Sequence, residues 1–379
     1  MRRFPMRPLA VLATVGTLVL TGCGTETGAP GGRVSGEQTS GERMSGEQVA
    51  VDGASVDGAS AGGASAGGAS AGRASGDRAG RIIRAQKVMQ LTRTHPETGM
   101  TLLEGPVLDE SGRLYVVDVT APEGKPKVMR VDVRNKTFRA VSTEGRAAYT
   151  SAQFSPYDGR LYLTDFAHGE IVSMAADGSD RRTFFSGGID GAPMNPDDLA
   201  FDREGHLYIS DSRGLSEGTA QGRVVRISRD GEDVDVLARD LAAPNGISFD
   251  EKYQGLWFSE LTENRISYLR LDARGKVTSR HTAIRVDGGI AQTDSIAVDA
   301  DGNLYQGLHG RPAMAVYSRN GEHLATVELP ARTTGLESAT NVAITPGGTK
   351  AYMTVSGPGG GFLYTFDALA KGTRQSNGG

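Results

Sequence analysis

The sequence predicts an all-β fold, a six-bladed β-propeller, and three observations predict it. The first is a repeated frame, clearest from Thr293 to His309 (TDSIAVDADGNLYQGLH): a polar residue, four mostly apolar positions, an Asp or Pro, a Gly-containing turn, then an apolar-aromatic pair. It occurs six times, with aromatics at Tyr115, Tyr162, Tyr208, Trp257, Tyr305 and Tyr352, spaced 47, 46, 49, 48 and 47 residues apart. A period in the upper forties is that of a toroid or solenoid. The second is that short apolar runs alternate with turn signals inside each repeat, the pattern of strands in one blade. The third is a polar residue five positions before the Asp or Pro that opens each turn: Glu104, Ser151, Asp197, Asn245, Asp294 and Asn341. Equivalent positions of a closed repeat lie on a ring, and the first strand of each blade lines the channel. These six side chains are therefore expected at one depth around the axis.

Taken in order, the chain begins with Arg2, Arg3 and Arg7, then an apolar run from Leu9 to Leu20, then Leu20-Thr21-Gly22-Cys23. The run is too short to span a membrane as a stable helix and has the build of a secretory signal. Leu-Thr-Gly-Cys resembles the bacterial lipobox, so residues 1–23 are expected to direct export and Cys23 to carry a lipid, placing the protein on the extracytoplasmic side of the cell membrane. Cys23 is the only cysteine, which leaves no disulfide within a monomer.

Residues 24–80 are Gly, Ser, Ala and Glu in near-repeats such as DGASVDGAS, with almost nothing apolar to offset the entropy of ordering. They are expected to be a disordered linker with a reach of about 40 Å. Three matches to G-x-S-x-G lie in this linker, where neither the strand nor the helix of a nucleophile elbow is available. A fourth, around Ser216, follows a strand but leads into another strand.

Residues 81–379 carry the propeller. Each of the first five repeats offers four strands, the first of them Leu103 to Asp109, Leu114 to Asp118, Lys127 to Val133 and Phe138 to Ser142. The sixth offers three, after which the chain runs into a polar tail. An unclosed ring would leave a bare edge, so the segment around Lys87 is expected to supply the missing outer strand. Asp299-Ala300-Asp301-Gly302 has the look of a calcium loop but lacks the remaining EF-hand spacing, and reads as a hairpin turn.

The ring is where chemistry can reside. Glu104, Asp197 and Asp294 are carboxylates, Asn245 is an amide, and Ser295 adds an oxygen beside Asp294. Crowded carboxylates either take up protons or surround a cation. An oxygen set without His or Cys favours a hard ion, Ca²⁺ before Mg²⁺. Folding the fifth hairpin about Asp301-Gly302 sets His309 opposite Asp294, as either a solvated structural side chain or a second proton carrier. His95, His168, His206, His281 and His323 fall in turns or outer strands and indicate no chemistry. The net charge of −4 shows no basic footprint for nucleic acid.

Leu103-Glu104-Gly105, Asp197-Asp198-Leu199, Asn245-Gly246-Ile247 and Asp294-Ser295, each feeding a turn and an aromatic strand, resemble the gluconolactonase, luciferin-regenerating-enzyme and senescence-marker-protein family of six-bladed propellers. The likeness, from about Arg81 to Lys371, is greatest to its calcium-dependent, drug-responsive lactonase branch. It implies one catalytic Ca²⁺ held by Glu104, Asp197, Asn245, Asp294 and Ser295, with Asp294 as acid/base of lactone hydrolysis. The lactonase pattern has an aromatic residue where His309 stands, so this chain departs from it there. Some members bind a second, structural Ca²⁺ through the loop before Asp197. Here Ala192 and Met194 replace its Thr and Tyr, and the likeness does not extend to that site.

The expected protein is an exported, lipid-anchored monomer acting on a small lactone or ester. The alternatives are a non-catalytic propeller that binds a ligand or protein, or an esterase or cyclase acting on a natural product with the same metal site. The rim loops, Ser186 to Pro196, Arg213 to Gly222 and Ser356 to Gly361, would select the substrate.

Overall fold

A computed structural model describes residues 80–331 and 333–374. Cys23, the leader before it and the linker up to residue 79 lie outside the described residues. Within them the chain is all-β, broken by one short 3₁₀ turn at Leu261–Glu263.

Ahead of the first repeat stand β1 (Arg81–Arg84) and β2 (Gln86–Thr92). Four antiparallel sheets of four strands then follow in chain order. They run from β3 (Leu103–Leu108) to β6 (Thr137–Ser142), from β7 (Tyr149–Phe154) to β10 (Arg182–Ser186), from β11 (Pro196–Phe201) to β14 (Val234–Leu241), and from β15 (Pro244–Phe249) to β18 (Val277–Arg285). The last two repeats run from β19 (Gln292–Val298) to β22 (His323–Glu328) and from β23 (Ser338–Ile344) to β25 (Gly360–Asp367). They share one sheet because the pair Leu308 and Ala339 joins β20 (Leu304–His309) to β23.

The first strands of the repeats neighbour one another in a cycle: β3 beside β7, β7 beside β11, β11 beside β15, β15 beside β19, β19 beside β23, and β23 beside β3. Alternating side chains fill the gap between each sheet and the next, giving six apolar clusters. The repeating aromatics span these gaps edge to face: Tyr115 on Phe154 with centroids 5.2 Å apart, Tyr162 on Phe201 at 5.2 Å, Tyr208 on Phe249 at 4.9 Å.

The turn aspartates are structural. Asp299 Oδ1 accepts from the backbone N–H of Asp301 and Asn303, while Oδ2 accepts from the Tyr305 hydroxyl at 2.9 Å. Asp202 repeats the arrangement with Glu204, His206 and Tyr208. Both oxygens thus pin the turn to its own strand. Ser216 lies in the turn between β12 (Leu207–Asp211) and β13 (Gly222–Ile227), strand to strand, where no nucleophile elbow forms.

Closure follows the strand count. β2 lies antiparallel on β25, with Gln86 opposite Thr365 and Lys87 opposite Tyr364. The sequence reading did not foresee β1, which lies parallel on β22 with Ile83 opposite Val327. One segment therefore edges the fifth repeat, passes through Ala85, and completes the sixth.

The ring needs one correction. Pairing aligns the repeats through the partners of their aromatics: Val107 with Tyr115, Gln153 with Tyr162, Ala200 with Tyr208, Ser248 with Trp257, Ala297 with Tyr305, and Ala343 with Tyr352. Three residues before these stand Glu104, Thr150, Asp197, Asn245, Asp294 and Thr340. Ser151 and Asn341 stand one residue later, in step with Asp198 and Ser295, yet their side chains still reach the axial acids: Asn341 bonds the Glu104 carboxyl and Ser151 the Asp198 carboxyl. In the second and sixth repeats the Pro is the second turn residue, after Ser155 and Thr345, so counting from it overshoots by one.

Deleting residues 81–92 should bare the β25 edge and the apolar gap beneath it. We expect aggregation, or a melting temperature lower by at least about 10 °C. Deleting residues 24–79 should leave melting unchanged; equal behaviour of the two truncations would show that β2 does not close the ring.

Candidate metal centre

The ring residues sit in a β-bulge that recurs in every first strand. Regular pairing breaks between Glu104 and Val107, Tyr149 and Ser151, Pro196 and Leu199, Pro244 and Ile247, Thr293 and Ile296, and Ala339 and Val342. A bulge re-aims the side chains it contains, here at the point where the six strands approach. Hydroxyls two residues after the aromatics of the second, third and fourth repeats fix the next bulge to the preceding sheet. Thr164 Oγ1 donates to the Asp197 carbonyl at 2.8 Å, Ser259 Oγ to the Asp294 carbonyl at 2.7 Å, and Ser210 Oγ to the Asn245 carbonyl. The approach is close enough that a Cβ on Gly105 would lie 2.8 Å from the Ala152 nitrogen, and one on Gly246 would overlap the Ile296 nitrogen. Glycine is required at both positions.

Glu104, Asn245 and Asp294 are buried and Asp197 is partly so. Asn245 Nδ2 donates to Asp197 Oδ2 at 3.2 Å and also reaches Asp294; Ser212 Oγ donates to Asp197 Oδ2 at 3.1 Å; the Ser295 N–H donates to Asp294 Oδ1 at 3.1 Å. Burial followed by the charge of Asp197 drives the Asp294 carboxyl well above its ordinary range. Burial followed by Asp294 and Asp197 does the same to Glu104. Asp197 is pushed up to about 7 by burial and the charge of Asp198. These carboxylates feel one another across the axis, as one shared site requires.

Below them Asp198, pushed up to about 6 by burial, accepts from Ser151, the Leu199 N–H, the Ile247 N–H and Ser295. It ties the second, third, fourth and fifth repeats together. The Ser295 hydroxyl is thus directed to Asp198 as well as standing next to Asp294. Asp198 was legible only as part of a motif; no spacing marks it as a hub.

His309 also needs a correction. Because of the bulge, Gln292 pairs with His309 and Thr293 with Leu308, so Asp294 is not its cross-strand partner. The bulge nonetheless swings Asp294 back until its Oδ2 lies 3.9 Å from His309 Nδ1, which is also 3.4 Å from Ser338 Oγ. Two histidines outside the ring are engaged by acids: His95, buried, is 2.8 Å from Asp118 Oδ2, and His168 Nδ1 is 2.8 Å from buried Asp165. Asp118, Asp165, Asp211 and Glu260 end the second strands of the first four repeats, and each meets a basic side chain. An acid three residues after the aromatic was the available signal for this device.

The donor set fits a hard cation. Glu104 Oε2 and Asn245 Oδ1 are buried acceptors that receive no hydrogen bond, the arrangement a cation completes. Among the described residues no three His, Cys, Asp or Glu side chains converge closely enough to hold an ion unaided; the Asn245 amide oxygen stands beside the acids as a further acceptor. In the loop before Asp197 the carbonyls of Ile189 and Pro193 accept from Arg223, itself paired with Asp211 at 2.6 Å. A guanidinium of the chain takes those oxygens.

Residues 102–357 match the model of the SMP-30/gluconolactonase/LRE-like region. Lactonase drp35 of Staphylococcus haemolyticus is 28% identical over 292 residues, covering 71% of this chain and 84% of the relative. Lactonase drp35 of Staphylococcus aureus is 27% identical over 280 residues. Among solved structures, a gluconolactonase from Xanthomonas campestris superposes with a TM-score of 0.57 at 22% identity, over 70% of this chain and 86% of that one. A calcium-binding regucalcin from Agrobacterium tumefaciens superposes with a TM-score of 0.61 at 18% identity, over 78% and 99%. With its axial acids, its bulged first strands and more than half of its length matched, the chain belongs to the SMP-30/gluconolactonase/LRE-like family.

Proposed function

We propose that this protein is a calcium-dependent lactone hydrolase, built as a six-bladed β-propeller and held outside the membrane by a lipidated Cys23. The observation that carries the catalytic reading is the set of buried acceptor oxygens without donors on Glu104 and Asn245, beside carboxylates that burial and mutual repulsion hold against ionisation. The relatives named lactonase support the reaction class.

Glu104, Asp197, Asn245 and Asp294 would hold the cation, with Ser295 beside them. When bound, Ca²⁺ would polarise the ester carbonyl and the attacking water. Asp294 takes the proton from water as the oxygen adds to the carbonyl carbon, and returns it to the alcohol oxygen as the ring C–O bond breaks, leaving a hydroxy acid. The Ser295 N–H and Asn245 fix its orientation, while Oδ2 faces His309. His309 stands where a proton can pass between Asp294 and solvent. Burial of the ring excludes competing water.

Asp294→Asn should abolish turnover on a panel of lactones and aryl esters, and chelator should abolish it in the wild type. Asn245→Ala should lose activity that excess calcium partly restores. Wild-type activity indifferent to chelator, together with calorimetry showing no divalent-ion binding, would refute the metal-dependent reading.

His309→Phe should lower kcat by roughly 10² to 10⁴-fold. A change under about threefold would make His309 a structural side chain.

Cys23→Ser should release the protein from the membrane fraction or leave it unprocessed. Wild type recovered wholly soluble outside the cell would remove the lipid anchor from the proposal.

A further inference from the structure

The outer half of the fourth repeat is rich in basic residues in a chain whose formal net charge is −4. Residues 265–285 hold six Arg or Lys and one Asp. They form β17 (Arg265–Leu271) and β18, the outermost strand of its sheet. Arg265 is held by Glu260 at 2.6 Å. Arg270, Arg274, Lys276, Arg280 and Arg285 are exposed, and among the described residues none of them forms an ion pair. Arg280 donates instead to the backbone carbonyl of Arg239. Asp272 closes the turn by accepting from the backbone N–H of Arg274 and Lys276 at 2.8 and 2.9 Å. Asp272 within the turn and exposed Asp287 in the loop beyond therefore stand against five exposed cations on this edge, with Arg270 on the face toward the fifth repeat and Arg280 on the face toward the third.

The strip has a definite end. Past Arg285 the chain enters the loop to β19, and Ile290 in that loop is 90% exposed. Gln292, two residues on, pairs with His309, so Ile290 stands at the end of the sheet where His309 meets Asp294. A lone exposed isoleucine needs no explanation, and neither does a single unpaired arginine. Five cations that outnumber the two aspartates beside them and lead to an almost fully exposed apolar side chain have a combined chemistry: phosphates for the cations, acyl chains for the isoleucine.

We propose that this edge is a docking surface for an anionic phospholipid bilayer, with Arg270, Arg274, Lys276, Arg280 and Arg285 at the headgroups and Ile290 below them. The proposal is independent of the catalytic reading and of Cys23. The strip runs along one blade from the β17 to β18 turn to the loop before β19, so the protein would lie on its side, its axial opening at the level of the headgroups.

The full chain should be floated with vesicles of phosphatidylcholine alone and with vesicles that also contain phosphatidylglycerol. Any anchor or apolar leader binds both, so the preference between them is the readout. About 10²-fold tighter binding to the anionic vesicles is expected at low salt, falling toward the neutral value at high salt. Anionic vesicles should also slow tryptic cleavage after Arg274 and Lys276. The combined variant Arg270→Ser, Arg274→Ser, Lys276→Ser and Arg280→Ser should melt like the wild type and lose the preference, and Ile290→Ser should weaken it several-fold. Equal binding to both vesicles, or a preference kept by the variant, would overturn the proposal. Saturable binding of inorganic polyphosphate with no vesicle preference would overturn it too and give the strip to a soluble polyanion.

Discussion

Closure of the ring is the constraint on which everything else depends. Each sheet is stable because the next one covers its apolar face, and six such gaps follow one another around the molecule. The last gap is completed only when β2, from the far end of the chain, lies on β25; Leu91 from β2 then packs with Leu363 and Leu103. Without it Leu103, at the start of the strand that carries Glu104, would face water. The geometry of the axial acids is thus held by a strand more than ten residues removed from any of them in sequence.

Convergence at the axis creates the chemistry and also its cost. Six first strands meeting at one depth cannot all keep a regular pleat, and each bulges where it meets its neighbours. The bulge brings side chains inward, glycine relieves the contact at Gly105 and Gly246, and hydroxyls from adjacent sheets bind the bulged carbonyls. Carboxylates placed in so dry a position resist ionisation. Protons relieve that cost only by making the acids poor ligands; a hard cation relieves it and makes use of the acceptors left bare on Glu104 and Asn245. Asp198, beneath, holds four repeats in register by accepting from Ser151, Ser295 and two backbone N–H groups.

The repeat has a second use on the same end of the molecule. An acid closes the second strand in four repeats and is matched each time by a different nitrogen-bearing side chain: His95 for Asp118, His168 for Asp165, Arg223 for Asp211, Arg265 for Glu260. Where the partner is Arg223, the guanidinium also gathers the loop that leads to Asp197. One position of the frame therefore serves both to end a strand and to secure a rim loop, and the identity of the partner varies with the loop it secures.

The sequence by itself determined the repeat, the positions of the strands and their turns, and the residue types at the axis. These follow from periodicity and local turn chemistry, which act over a few residues: the aromatic spacing marks the second strand of each repeat, and Asp202 and Asp299 mark turns by bonding their own backbone. Glu104, Asp197, Asn245 and Asp294 were legible because they keep a fixed distance from those turns. Only the tertiary structure decided what that distance means in space. A turn that opens with Ser155 or Thr345 before its proline sets Ser151 and Asn341 one residue out of step with the acids, and they still reach Asp198 and Glu104. The bulge pairs His309 with Gln292 and still brings it to 3.9 Å from Asp294. The burial of His95 against Asp118 and the reach of Asp198 across the axis join residues from separate elements, so no local pattern encodes them. Local chemistry fixes where a strand begins and ends, but which side chains meet at the axis is set by six strands bulging against one another, and that competition exists only once the ring has closed.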